Sequence, residues 1–203
     1  MKLVIGPIIY KQKFKSKVPV KVIPIKQHKF FYRMRGPWDY RTMLDKLVSD
    51  ETRNKTIAAQ ADKMIRQGHS VLVLSREIQH LKNIRAEMKE DAELLTGERT
   101  KEERKLILHQ FREGGIKCVL ATQLADEALD VPILSCVILT FPGKHEGRIV
   151  QQVGRALREH PTKLDSVVVD IVDDHCGVLR KQWMERKRAY KKMGISIQKI
   201  RRP

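Results

Sequence analysis

Residues 149–160, IVQQVGRALREH, hold Arg155 and Arg158 three positions apart, just beyond Gly154. Arginines at that spacing share one face of a helix. They serve either as plain surface cations or as a pair aimed at a phosphate bound elsewhere. The choice turns on what other phosphate chemistry the chain holds. It has no GxxxxGK[ST] loop and no GxGxxG fingerprint. Gly114 and Gly115 are adjacent, but they close a helical pattern instead of opening one. Without a phosphate-loop lysine and a Mg²⁺-holding Ser or Thr, the sequence has no evident way to bind a triphosphate by itself. ADEALD (125–130) contains Asp-Glu-Ala, as an acidic metal-binding box would, but no phosphate loop precedes it. A basic pair with no phosphate cradle of its own fits a donor of arginine fingers. Such fingers stabilise the charge that develops on a phosphoryl group held by another domain.

The surrounding pattern is that of an α/β protein. SVLVLS (70–75), AELLTG (92–97), KCVLAT (117–122), SCVILT (135–140) and SVVVDIV (166–172) read as short apolar strands. Between them, REIQHLKNIRAEMK (76–89), TKEERKLILHQFREGG (100–115) and GRIVQQVGRALRE (147–159) have helical periodicity. Thr100 and Glu103 form a capping box. Upstream, 37–48 and 50–68 read as helices, the second with Asp50 as N-cap and Gly68 as its stop. Continuous apolar strands alternating with amphipathic helices imply a parallel sheet with helices on both faces. Ligands of such sheets bind at the loops beyond the carboxyl ends of the strands. Ser75, Arg76, Thr96, Gly97, Thr122, Asp173 and Asp174 all fall there.

The sequence has 203 residues, a net charge of +17 and 41% hydrophobic residues, enough for a real core. Residues 1–50 carry 12 Lys and Arg against 3 Asp and Glu, and residues 176–203 carry 10 against 1. The middle is near neutral, so the charge sits at two basic ends that attract a polyanion, most commonly nucleic acid. No apolar run approaches the ~18 residues of a membrane span, and no cleavage site follows the apolar start. A cytoplasmic or nucleoid-associated, non-secreted protein with no membrane partner is expected. Cys118, Cys136 and Cys176 read as buried free thiols. The seven histidines show no metal-ligand spacing, and no metal site of the chain's own is assigned. VPVKVIPIK (18–26) alternates and holds two prolines, which suits an edge strand or connector. The expected division is a basic leader over 1–36, one domain over 37–175, and a basic helix and tail over 176–203.

VLATQLADEALDVPILSCVIL (119–139) followed by QQVGRALR (151–158) resembles the fifth and sixth motifs of superfamily-2 helicases. Their patterns are roughly A-T-x-x-x-x-E-G-x-D-[VI]-P and Q-x-x-G-R-x-x-R. SVLVLSREIQHLKNI resembles the fourth motif region, and LTGERTKEERKLILHQFREG the segment between. The match runs over about 50–175, in order and at family-like spacing. It is similar to the second, RecA-like domain of such helicases, in the group of XPB-like proteins, restriction-enzyme motor subunits and phage helicases.

The resemblance implies a RecA-like parallel sheet, and ATP with Mg²⁺ shared with a first RecA-like domain in the same protein or a separate chain. It implies that Arg155 and Arg158 are the fingers, and that Glu127, Asp130 and Gln151 lie toward the nucleotide. Thr122, with Ser75, Arg76, Thr96 and Gly97, would contact the nucleic-acid backbone, DNA favoured over RNA. Ala128 departs from the family glycine and Gln152 from a common arginine. The isolated chain is expected not to hydrolyse ATP. The other reading is a free-standing, non-hydrolysing nucleic-acid-binding module of the same fold.

Overall fold

The computed structural model of the chain describes residues 19–26, 30–122, 128, 131–141 and 165–199. Among them, strands β1 (Val20–Lys26), β2 (Ser70–Leu74), β3 (Glu93–Leu95), β4 (Cys118–Ala121), β5 (Leu134–Leu139), β6 (Ser166–Val172) and β7 (Ser196–Ile197) form one sheet. Its order is β3-β4-β2-β5-β6-β1-β7, and every pairing is parallel. The helices are α1 (Tyr40–Ser49), α2 (Glu51–Arg66), α3 (Ile78–Glu87), α4 (Lys101–Arg112) and α5 (Gly177–Lys192). A 3₁₀ turn, Pro37–Asp39, leads into α1.

The continuous apolar strands are explained by burial on both faces. Side chains alternate along a strand. Val71 and Val73, with Leu120, Ile138 and Val169, pack beneath Ile57, Ala58 and Ala61 of α2 and Leu81 and Ile84 of α3. Leu72 and Leu74, with Val119, Val137 and Val168, face Ile107, Leu108 and Phe111 of α4 and Trp183 and Tyr190 of α5. The Asp50 side chain caps α2 by accepting from Arg53 N at 2.8 Å. Thr100 and Glu103 close the expected capping box on α4. Cys118, Cys136 and Cys176 are free and buried, and burial pushes their thiols up from the ordinary value.

Two boundaries differ from the sequence expectation. Residues 20–26, inside the expected leader, form β1 and pair along their whole length with β6. β7 pairs only with Lys21 and Val22, so the second half of β1 is a sheet edge. Gln198 N donates to Val22 O. The even-numbered residues of β1 therefore turn their backbone outward, and Pro24, which lacks an N–H, sits where nothing pairs with it.

The basic tail helix is likewise part of the domain. Asp170 interrupts the valines of β6 and is fully buried. Arg186 of α5 meets its carboxylate through Nε at 2.9 Å and Nη2 at 2.8 Å, and Tyr190 donates to it at 2.7 Å. Burial disfavours the Arg186 cation, but the adjoining Asp170 carboxylate outweighs this and holds its pKa above the usual range. Gly194, at φ +74°, ends α5 and turns the chain into β7.

Candidate nucleic-acid interface

Strand register brings four strand ends level. Leu95 of β3 stands beside Ala121 of β4, Ala121 beside Leu74 of β2, and Leu74 beside Leu139 of β5. The next residues in the chain are Thr96, Thr122, Ser75 and Thr140. One hydroxyl amino acid thus follows each of these adjacent strands, in a row crossing roughly 14 Å of the carboxyl edge at normal strand spacing.

Most of these hydroxyls are turned toward the protein. Ser75 is 4% exposed; its Oγ accepts from Glu77 N at 3.3 Å and lies 2.9 Å from His80 Nδ1. Thr96 is 3% exposed, and its Oγ1 accepts from Glu98 N at 3.4 Å. Thr140 donates to Leu74 O at 2.7 Å. Ser75 and Thr96 use the same device, a hydroxyl bound to the amide two residues on, which folds a tight loop. The residue at the crest of each loop, Arg76 in one and Gly97 in the other, is exposed. Among the described residues the Arg76 guanidinium has no salt bridge. Thr122 is half-buried at the end of β4.

Beneath the row lies a buried ionic network. Arg53 on α2 is 1% exposed. It donates through Nε and Nη2 to the two carboxylate oxygens of Asp173, at 3.0 and 3.1 Å, and through Nη2 to Thr140 O. Its Nη1 lies 3.2 Å from His80 Nε2. A guanidinium only donates, so His80 Nε2 is the acceptor and Nδ1 carries the proton given to Ser75. Burial, and then the Arg53 charge, push the His80 pKa well below its ordinary value, which keeps the ring neutral. The network ties α2 and α3 to the loops after β2, β5 and β6. The sequence places Asp173 at a strand end but gives no local signal for Arg53, His80 or Thr140; at the start of α2 the visible signal is the Asp50 cap, three residues before Arg53.

The sequence-assigned residues divide into two sets. Ser75, Arg76, Thr96, Gly97 and Thr122 come together on one edge of the sheet. Arg155, Arg158, Gln151, Asp130 and Glu127 lie outside the described residues. Ala128, which stands for the family glycine, is fully buried within the core beneath α4 and α5.

Comparison with known proteins adds the decisive observation. A model of the helicase conserved C-terminal domain matches residues 51–160. The chain belongs to that family. This helicase C-terminal domain is 27% identical over 139 residues to a Sulfolobus islandicus filamentous virus protein named "Putative helicase 22", covering 67% of this chain and 24% of that protein. The chain thus spans about a quarter of the length of that relative. Its fold is shared with T4 UvsW, at TM-score 0.72 and 22% identity, over 91% of this chain and 41% of that one. It is also shared with the E. coli DEAD-box protein SrmB, at TM-score 0.57 and 14% identity, over 93% of this chain and 99% of that one. The expected helicase C-terminal domain therefore holds, as does the RecA-like parallel sheet. Helicases as a family use ATP and act on nucleic acid. No helix among the described residues is long and apolar enough to cross a membrane.

Proposed function

We propose that this helicase C-terminal domain is the second motor domain of an ATP-dependent DNA translocase or helicase. The reading is carried by the row of level strand ends, Thr96, Thr122, Ser75 and Thr140, on the edge that bears Arg76. A strand tracked by its backbone needs repeated contacts that ignore base identity. The two crest residues supply them: the Arg76 guanidinium can pair with a phosphate, and Gly97 lets backbone approach closely. Ser75 and Thr96 act one step back, by folding the loops that present these groups. The strong basic balance of the chain, +17, favours a polyanionic partner.

ATP and Mg²⁺ would be shared with a first RecA-like domain, where hydrolysis supplies the free energy of movement. On this side, Arg155 and Arg158 are proposed as the fingers that neutralise charge on the γ-phosphate, and guanidinium groups suit an anionic oxygen. Asp130, Gln151 and Glu127 are proposed to complete the polar surroundings of the nucleotide. Closure of the two domains around the nucleotide, and opening after it, would shift the carboxyl edge along the strand.

The test is ATP hydrolysis in the protein that carries this domain beside its ATP-binding partner. Arg155→Ala and Arg158→Ala are each expected to lower turnover about 10³-fold or more, the scale of other arginine fingers. Near-normal turnover in both variants would refute the assignment. The 203-residue chain alone is expected to show no hydrolysis with single-stranded DNA present.

A further inference from the structure

The segment FFYRMRGPWDYR (30–41) interleaves aromatic and basic residues, and the structure distributes them unequally. Phe30 is buried with Met43, Leu44, Leu47, Cys176 and Leu179 in a small core of its own. Phe31 and Trp38 are turned out, at 71% and 79% exposure, the most exposed large hydrophobic side chains among the described residues. Exposure alone would be ordinary for one side chain; what distinguishes Trp38 is how its ring is held.

The Trp38 ring is held, although it is exposed. Three of its ring carbons lie 2.3–2.5 Å from where a Cβ on Gly36 would sit, so the benzo ring rests directly on the Gly36 backbone. Any other residue at position 36 would push it away. The loop beneath is closed on both sides of the tryptophan. Tyr32 donates to Asp39 Oδ1 at 2.6 Å, Arg35 N donates to Asp39 Oδ2 at 3.1 Å, and Asp39 N donates to Gly36 O at 3.1 Å. Lys46 Nζ stands over the Tyr32 ring, 5.4 Å from its centroid. One face of the indole is therefore supported by backbone and the other is presented to solvent, from a loop already ordered before any partner arrives.

Two further facts say what the free face meets. Arg41 donates to Glu77 Oε1 at 2.9 Å, which fastens this segment beside the loop whose crest is Arg76. The platform is thus on the same carboxyl edge as the strand-end row. Secondly, Arg33 and Arg35, upstream in the same segment, are exposed and make no salt bridge among the described residues, although the Arg35 charge acts on nearby Asp39. A flat aromatic face beside exposed cations matches a nucleic-acid strand with unpaired bases, whose rings stack while its phosphates meet the arginines.

We infer that Trp38, supported by Gly36, is a stacking platform for an unpaired base of a single strand bound along the carboxyl edge, with Arg33 and Arg35 on the adjoining phosphates. The inference rests on the reading that this edge meets nucleic acid, and it adds single-strand selectivity to it. A duplex offers no free base face except at its ends.

The experiment titrates the 203-residue chain with a 20-nucleotide oligothymidylate and with a blunt-ended, loop-free duplex of similar charge, at low salt, following tryptophan emission and the anisotropy of a labelled oligonucleotide. Trp38 is the exposed tryptophan, while Trp183 is 4% exposed in the core. The single strand is expected to quench emission and the duplex to leave it unchanged. Trp38→Ala is expected to weaken single-strand binding about tenfold, the scale of one lost base stack. Trp38→Phe is expected to recover most of that loss, and Gly36→Val to reproduce it. Trp38→Ala should leave the salt dependence of binding unaltered, because the indole neutralises no phosphate, whereas Arg33→Ala should lower its slope. Salt-dependent binding with unchanged emission and full affinity in Trp38→Ala overturns the platform and leaves the edge as a nucleic-acid interface. Absence of binding to either oligonucleotide overturns both.

Discussion

His80 Nε2 lies 3.2 Å from Arg53 Nη1, and this contact joins two helices beneath the edge that carries the strand-end loops. It fixes the tautomer of His80, which in turn fixes the Ser75 hydroxyl and the loop that presents Arg76. Together with the Arg53–Asp173 pair it makes a single rigid floor under the carboxyl ends of β2, β5 and β6.

The floor is an ion pair withdrawn from water, so its partners are interdependent. Arg53→Leu leaves Asp173 buried without its cation, and Asp173→Leu leaves Arg53 likewise. Each is expected to cost about 3–5 kcal/mol. The double variant removes both charges and should cost less than the sum of the two by about 2 kcal/mol. Urea denaturation of the four proteins measures this directly. Additive losses would mean that the two side chains do not act as a unit.

His80 gives the pH dependence a sign. Its folded pKa is depressed well below 6.5 by burial and by Arg53, so the unfolded chain binds the proton more readily. Stability from the neutral ring is present above the unfolded pKa and is lost as pH falls below about 6.5. His69, depressed by burial, contributes in the same direction. Between pH 6 and 5, above the range where carboxylates titrate, His80→Gln should lower the slope of unfolding free energy against pH by about 1.4 kcal/mol per pH unit at most. Equal slopes in the two proteins would show that His80 is not held neutral by the fold.

The tail helix makes a separate prediction. Arg186 is held in a two-pronged contact with Asp170, and Tyr190 completes the carboxylate's partners. Arg186→Met leaves that carboxylate facing apolar residues of α5 and is expected to destabilise the chain by about 3 kcal/mol. Asp170→Val with Arg186→Met should recover much of the loss, since β6 is otherwise a run of valines and isoleucine on that sheet. Thermal denaturation of both variants distinguishes this from a solvated tail, for which neither change would matter.

The strands, α2 with its Asp50 cap, and the Thr100 and Glu103 capping box were legible because period and cap chemistry act locally. The strand β1 was harder to place. Pro19, Pro24 and an alternating pattern suited an edge strand or connector, but partners such as Val22 and Val168 lie far apart in sequence and no local signal carries their pairing. Arg186 stands in sequence among the cations of the basic tail, and nothing local points to its partner, Asp170, on β6. The candidate edge was legible as a set of strand ends. The direction of each hydroxyl was not. Ser75 and Thr96 were expected to face a ligand, yet they close their own loops, which leaves Arg76 and Gly97 as the exposed members. Nothing local in the sequence sets Trp38 apart. Only the Gly36 contact shows its ring to be a supported surface.

The carboxyl edge is proposed to carry nucleic acid by its phosphates. The decisive measurement is the anisotropy of a labelled 20-nucleotide single strand titrated with the 203-residue chain between 50 and 200 mM salt. Log affinity is expected to fall linearly with log salt, with a slope smaller by about 0.7 in Arg76→Ala, one phosphate contact on a single strand. Binding that ignores salt, or an Arg76→Ala variant with the parent's slope and affinity, would contradict it.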